Sequence, residues 1–392
     1  MDFKSVDDRA AQPRQVEVCD SIDALAPDEW NALHGADNPF VRHEYLAALE
    51  HTDCVGANTG WQPCHLVLRG ADGGIDGAVP LYLKTESWGE YVFDFAWAQA
   101  YAQAGMAYYP KLVGAIPYTP VPGARLLVAP GADAGETAAL LLQASRQLAD
   151  QSEASSVHFL FPRDEQLPAL KGAGFELRKD CQFHWHNADY ATFDDFLGRM
   201  KSRKAKKIRR ERRRVAEAGI RFEWFDGDRV ADAPWDDLYR FYASTFFARG
   251  RPPYFPPALF AELCNTMPEQ LVVILARRDD LPVAAAICFR TDERFYGRYW
   301  GADGDYHSLH FETCYYQGID YCIANGLRAF EPGTQGEHKL VRGFDPTVTW
   351  AAHWIAHPGF RKAIGNWLAD ERRSVDDYVN AAREHLPWRT SE

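Results

Sequence analysis

Nowhere along the 392 residues do apolar side chains run on far enough to cross a bilayer. The longest stretches, 271–276 and 282–289, fall well short of the roughly eighteen residues a spanning helix needs. The first residues, Met-Asp-Phe-Lys-Ser-Val-Asp-Asp, have neither a basic leader nor an apolar segment, so no signal peptide is expected and the chain reads as cytoplasmic. Cysteine is sparse and scattered, at 19, 54, 64, 181, 264, 288, 314 and 322, with no Cys-x-x-Cys pair. That spacing argues against a zinc site and leaves thiols expected to be reduced; no metal is expected. What remains is the composition of a globular protein: 46% hydrophobic, 25% charged and 14% aromatic, on a chain long enough for two domains. The net charge of −12, from 43 Lys+Arg against 55 Asp+Glu, should repel nucleic acid and anionic membrane as a whole.

Comparison of the chain with itself shows one pattern written twice. Residues 66–83 and 272–289 each read as an apolar strand, a polar Asp-containing turn and a second apolar strand, the signature of a β-hairpin. Each hairpin is preceded by a helical stretch opening at Trp30 or Trp235 and followed by an aromatic strand ending on Trp97 or Trp300. A helical pattern follows in each half, 135–152 and 310–325, and then a short strand, 156–161 and 327–331. Helix, hairpin, strand, helix, strand, twice over, resembles the Gcn5-related N-acetyltransferase (GNAT) layout, a mixed α/β (α+β) sheet with a crossing helix. Two tandem GNAT-like domains are expected, at 15–190 and 220–392, joined by a basic helix at 191–219.

The halves differ between Trp97 and the helix that follows it. About 35 residues there carry five prolines, at 110, 117, 120, 122 and 130, where the second half crosses in about ten. Tyr109, Lys111 and Arg125 in this stretch suit the wall of a substrate site; a purely structural loop is the other reading.

The segment 199–214 holds eleven basic residues and one acidic one, a local charge of +10 that leaves −22 for the rest of the chain. Thr192 with Asp195 reads as a capping box and Gly219 as a C-terminal stop, so a continuous helix of roughly 40 Å is expected over 192–218. On a helical wheel Phe196, Leu197, Met200, Ile208, Val215 and Ala218 share a stripe that Lys204 and Lys207 interrupt. So many like charges need anions close by. Acidic surfaces of the flanking domains would supply them, and so would phosphates of a ligand held by Lys204, Lys207 and Arg210.

The densest catalytic vocabulary comes late, at Phe330-Glu-Pro-Gly-Thr-Gln-Gly-Glu-His-Lys-Leu-Val-Arg342. Two glycines permit a tight turn off the last strand, and Glu337, His338, Lys339 and Arg342 then set a carboxylate, an imidazole and two cations within six residues. Attack of an amine on an activated acyl group needs a base, for which Glu337 or His338 is the candidate, and donors to the oxyanion, for which Lys339 or Arg342 is. Tyr299 and Trp300 are expected to shape the cleft. The loop 300–310 is the other candidate rim, at a helix N-terminus.

The basic run Lys201-Ser-Arg-Lys-Ala-Lys-Lys-Ile-Arg-Arg210 with Ala218-Gly-Ile220, the late Gly333…Gly336…Lys339…Gly343-Phe344, and Asn38-Pro-Phe40, Tyr108-Tyr-Pro-Lys111 and Thr119-Pro120…Gly123-Ala-Arg125 together resemble the FemAB-like predicted N-acyltransferases, relatives of the FemABX aminoacyltransferases. The resemblance spans nearly the whole chain. It implies transfer of an acyl or aminoacyl group to an amine, in the Fem enzymes from aminoacyl-tRNA to a peptidoglycan precursor. The usual GNAT pyrophosphate loop, (Gln/Arg)-x-x-Gly-x-(Gly/Ala), is absent after both Trp97 and Trp300, and no heptad hairpin of the kind that serves tRNA is present. Acyl-CoA and aminoacyl-tRNA both stay open as co-substrate. So do two alternatives: a non-catalytic scaffold binding RNA or a phosphorylated partner, and an acetyl-CoA-dependent small-molecule acetyltransferase.

Overall fold

The computed structural model describes residues 15–33, 38–334 and 336–389; the first eight residues, read as lacking a signal peptide, and the outer end of the expected 220–392 domain lie outside them. In the second half, β10 (Ile220–Asp226), β11 (Leu271–Arg278), β12 (Leu281–Arg290) and β13 (Arg294–Ala302) pair antiparallel in that order. The β11–β12 hairpin turns through Asp279 and Asp280, both with positive φ (50° and 62°), as a two-residue turn matched to strand twist requires. β14 (Ala329–Glu331) then returns parallel to β13, after a helix that runs over residues 309–324 with one π turn, Glu312–Tyr316. Helix Trp235–Phe247 lies directly on β13: a Cβ on Gly301 would come within 1.9 Å of the Phe241 carbonyl oxygen, so only glycine allows that approach.

The first half repeats the plan with interruptions. β1 (Val16–Cys19), β3 (His65–Arg69), β4 (Ile75–Val79) and β7 (Leu127–Val128) form a separate four-stranded sheet. Pro80, which has no N–H for the ladder, ends β4, and the chain passes into the larger sheet as β5 (Leu81–Lys84). There β5 pairs with β2 (Trp61–Pro63) and β6 (Lys111–Gly114), and β6 runs parallel to β8 (Ser156–Leu160).

The two halves share one sheet. β9 (Glu176–His186) pairs with β14, and β15 (Asp345–Ile355), which comes from the expected second domain, lies between β8 and β9. The larger sheet therefore has eleven strands, β10-β11-β12-β13-β14-β9-β15-β8-β6-β5-β2. Core packing crosses the join too: the ring of Phe40 sits 4.9 Å from Phe289 and 5.4 Å from Tyr296. The long helix Pro358–Glu384 covers β9 and β15.

Three expectations need correction. Trp97 does not end a strand; it lies in helix Phe95–Gln103, and the third strand of the first half is β6, inside the stretch read as a loop. The basic segment is not one helix. Its capping box is present, with Thr192 Oγ1 accepting from Asp195 N at 3.1 Å and the Asp195 carboxylate accepting from Thr192 N at 2.9 Å, but that helix stops at Gly198. Lys201 N then donates to the Pro387 carbonyl at 2.8 Å and Met200 bridges to Trp388, so the backbone at 199–201 is taken up by the C-terminal segment. A second helix, Ser202–Glu217, carries most of the basic run and ends at Gly219 with φ of 75°. Lastly, Ala218 is exposed, while Ala205 and Glu211 join Ile208 and Val215 on the buried edge.

Candidate active site

Parallel strands joined by a crossing helix leave a notch where they part. In the first half the notch between β6 and β8 is filled: Gly123 N donates to the Phe161 carbonyl at 3.0 Å, and Arg125 is wholly buried, its guanidinium given to the carbonyls of Leu160, Val121 and Ala124. Burial without a carboxylate pulls its pKa down to about 9. Lys111 is buried as completely, ion-paired with Glu90 at 2.8 Å and with Asp94, and bonded to Ser87, which also meets the Tyr109 hydroxyl at 2.7 Å. Lys111 and Arg125 are therefore not the substrate-facing cations expected from the sequence; their charges are spent inside the first half.

In the second half the two parallel strands part after a short pairing. β13 and β14 pair only from Arg294 with Ala329 to Tyr296 with Glu331, after which β13 continues to Ala302 with Arg298 as the extra residue of a bulge. The chain leaving β14 turns at Gly333 and Gly336 and closes into the 3₁₀ helix Glu337–Arg342. This turn brings together the residues expected to carry catalysis. Lys339 is buried, its Nζ donating to the Gly333 carbonyl at 2.6 Å, and burial pulls its pKa down to about 7. The His338 ring lies against Phe311 and meets the Tyr315 hydroxyl at 2.8 Å through Nε2; burial, and then Arg342 and Lys339, hold its pKa below the ordinary value. A Cβ on Gly336 would fall 2.3 Å from the His338 ring, so the glycine gives the imidazole its place. Glu337 is exposed and accepts from the Tyr378 hydroxyl at 3.0 Å.

Arg342 is buried and does not face a ligand. It donates to Tyr316 Oη (2.9 Å), the His338 carbonyl (2.8 Å) and Glu211 (3.1 Å), with its guanidinium over the Phe311 ring. Arg342 thus ties the turn to the basic helix and is not the oxyanion donor the sequence suggested. Glu211, the lone acid of the basic run, is its inward-facing anchor. Tyr299 packs its ring among Tyr242, Phe255 and Phe260, whereas Trp300 faces the site edge-on to His310 at 5.3 Å.

On one side of the turn is a cleft of about 510 Å³ between the basic helix and the mouth of the helix that starts at Leu309. Lys207, Arg210 and Arg214 line it opposite His307, His310 and Phe311, with Glu211 at its base. Burial and the nearby cations push the His310 pKa down to about 4, so its ring is neutral near pH 7. The acidic neighbours foreseen as partners for the basic run do exist: Arg212 pairs with Glu312 and Asp320, and Arg209 with Asp194 at 2.8 Å. They neutralise only part of it. Among the described residues Arg203, Lys204, Lys206 and Arg210 have no ion pair, and they form a basic face of the helix that runs on from the cleft through Lys207 and Arg210. On the other side of the turn, a cavity of about 300 Å³ is lined by Tyr91, Gln182, Thr334, Glu337 and Tyr378.

His310, Tyr315, Glu211 and Glu331 were not singled out from the sequence. A single acid within eleven bases was the available signal for Glu211, and Glu331 stood at the head of the glycine turn.

No helix among the described residues is long and apolar enough to cross a membrane, and no group of side chains there could hold a metal ion. The solved structure of FemX is similar over 87% of this chain and 98% of its own, at 11% identity and a TM-score of 0.54. A lysylphosphatidylglycerol synthetase C-terminal domain from Agrobacterium fabrum covers 88% and 94% at 12% identity (TM-score 0.49), and a tandem GNAT protein of the clavulanic acid pathway 88% and 99% at 12% identity (TM-score 0.44). No curated protein matches the chain. The FemAB-like family, described as peptidoglycan biosynthesis/recognition, matches residues 21–390. That match runs over nearly the full length, and the chain belongs to the FemAB-like family.

Proposed function

We propose that the protein transfers an activated acyl or aminoacyl group from a phosphate-bearing donor to the amine of a peptide-like precursor of the cell wall. The observation that supports this most is the position of the 333–342 turn. Its Glu337 lines the uncharged-to-acidic cavity, and its His338 ring packs on Phe311 and His310, which line the basic cleft. Lys207, Arg210 and Arg214, beside a helix mouth, suit the phosphates of a donor. CoA thioesters and aminoacyl-tRNA share that chemistry, and membership of a peptidoglycan biosynthesis/recognition family favours a peptidoglycan-type acceptor.

The amine nitrogen attacks the acyl carbonyl, a C–N bond forms, and the C–S or C–O bond to the donor breaks. When the His338 proton sits on Nε2 and is donated to Tyr315, Nδ1 carries the free lone pair that accepts the proton lost by the amine. Lys339, as ammonium, has two further N–H groups beyond its bond to Gly333 with which to meet the developing oxyanion. Glu337, held by Tyr378, is placed to orient the acceptor from the other side.

Purified protein should be offered CoA thioesters or aminoacyl-tRNA with a muramyl-peptide acceptor, and the N-acylated product followed by mass spectrometry. Turnover with one donor, reduced about 100-fold by His338→Ala and by Lys339→Ala, is the expected result. Absence of product with either donor, or full activity in both variants, would falsify the assignment.

A further inference from the structure

A second cavity, of about 380 Å³, opens on the opposite face of β14 from the crossing helix. Phe330 points to the helix side, where it packs against Gly318 and Phe295, so its neighbour Glu331 points away from it. Glu331 is 5% exposed. Its Oε1 accepts from Arg294 at 3.0 Å, while its Oε2 is buried and has no hydrogen-bond partner. Thr349, from β15, lines the same cavity and is equally buried, and its Oγ1 is unpartnered as well. Both residues line one cavity, and buried polar atoms left without partners are costly until a donor reaches them.

The charge of the walls says what kind of group that is. Asp164, Glu165, Glu293 and Glu331 face it against Arg163 and Arg294, and His184, whose pKa burial lowers to about 3, adds no charge near neutrality. Both unpartnered atoms are oxygens able to accept, and a carboxylate accepts only. The complement is a compact cation with several N–H donors.

We infer that this cavity receives the acceptor's amino group as a protonated primary amine, with Glu331 as its counter-ion and Thr349 Oγ1 as a second acceptor. The inference rests on the acyl-transfer reading of the turn for the word acceptor, but the binding site itself does not. Glu331 stands two residues before Gly333, whose carbonyl holds Lys339, so the cavity and the turn meet at the end of β14. Burial raises the Glu331 pKa to about 7, so near neutrality part of the population is protonated and arrival of an ammonium drives a proton into solvent.

The test is calorimetric titration of the whole protein with cadaverine, run in two buffers of different ionisation enthalpy at pH 7, with 1-pentanol as the uncharged control. Expected are saturable binding in the millimolar range with net proton release, no response to 1-pentanol, and affinity weakened about tenfold or more in Glu331→Gln. Thr349→Val, a near-isosteric change, should weaken it severalfold and serves as the second variant if Glu331→Gln fails to fold. His338→Ala should bind cadaverine like the wild type. Cadaverine that does not saturate by about 50 mM, or that binds Glu331→Gln as well as wild type, overturns the proposal. Cadaverine binding that depends on Glu331, in a protein that transfers no acyl group, keeps the port and sinks the acyl-transfer reading. Acyl transfer with an unchanged acceptor KM in Glu331→Gln does the reverse.

Discussion

Arg342 and Glu211 form a buried ion pair at 3.1 Å that joins the 333–342 turn to the basic helix. The carboxylate also accepts from the Tyr316 hydroxyl, which in turn accepts from Arg342 Nε, so the three side chains close a ring. Removing either charge strands the other in the interior. Arg342→Ala and Glu211→Ala should each cost about 3–5 kcal/mol in urea unfolding, and the double variant well under their sum. Full additivity would mean that the two residues act independently.

The turn should give kcat/KM a bell-shaped pH profile. His338, with its pKa held below the ordinary value, must be unprotonated to act as base, so activity rises as pH climbs through its titration. Lys339, pulled down to about 7, must be protonated to serve the oxyanion, so activity falls as pH climbs above that. Lys339→Arg keeps its charge throughout this range and should lose the alkaline limb while keeping the acid one. An alkaline limb that survives in this variant belongs to another group.

If the basic cleft holds donor phosphates, Lys207→Glu and Arg210→Glu should raise the donor KM about tenfold or more at low salt and leave the acceptor KM alone. Added salt should weaken donor binding in the wild type and do so less steeply in the variants. Arg212→Glu is a different case. Its guanidinium is committed to Glu312 and Asp320, so the loss should appear as a lower melting temperature.

Gly336→Ala should reduce kcat with little change in either KM. The new methyl would meet the His338 ring at 2.3 Å and meets strain from a φ of 114°, so the imidazole must leave its place against Phe311 and Tyr315. Unaltered kcat would show that the ring's position is not used in the reaction.

Local signals in the sequence carried far in some places and not at all in others. The β11–β12 hairpin, the Thr192 capping box and the Gly219 stop were legible because turn chemistry and helix ends depend on a few adjacent residues. The turn at 333–342 was legible because its glycines and charges are contiguous. Lys111 and Arg125 misled because a cation's role depends on what the fold sets beside it; Glu90 and Asp94 lie about twenty residues from Lys111, and the Arg125 acceptors include a carbonyl at Leu160. The break at Lys201 depends on Pro387, nearly two hundred residues away, which no helical wheel contains. Glu331 looked like the last residue of a strand, and only the alternation of faces, with Phe330 inward to the helix, shows that it ends in a cavity.

The place of β15 between β8 and β9 bears on how substrates get in. Two domains on a flexible tether open like a clamp, by rotation about a linker. Here the halves are sewn through a shared ladder, and parting them would break nine residue pairings between β15 and β9. Opening at the midline would therefore cost a row of ladder hydrogen bonds. Entry at the rim, past short loops such as 303–308 that border the basic cleft, asks for none of that ladder to break.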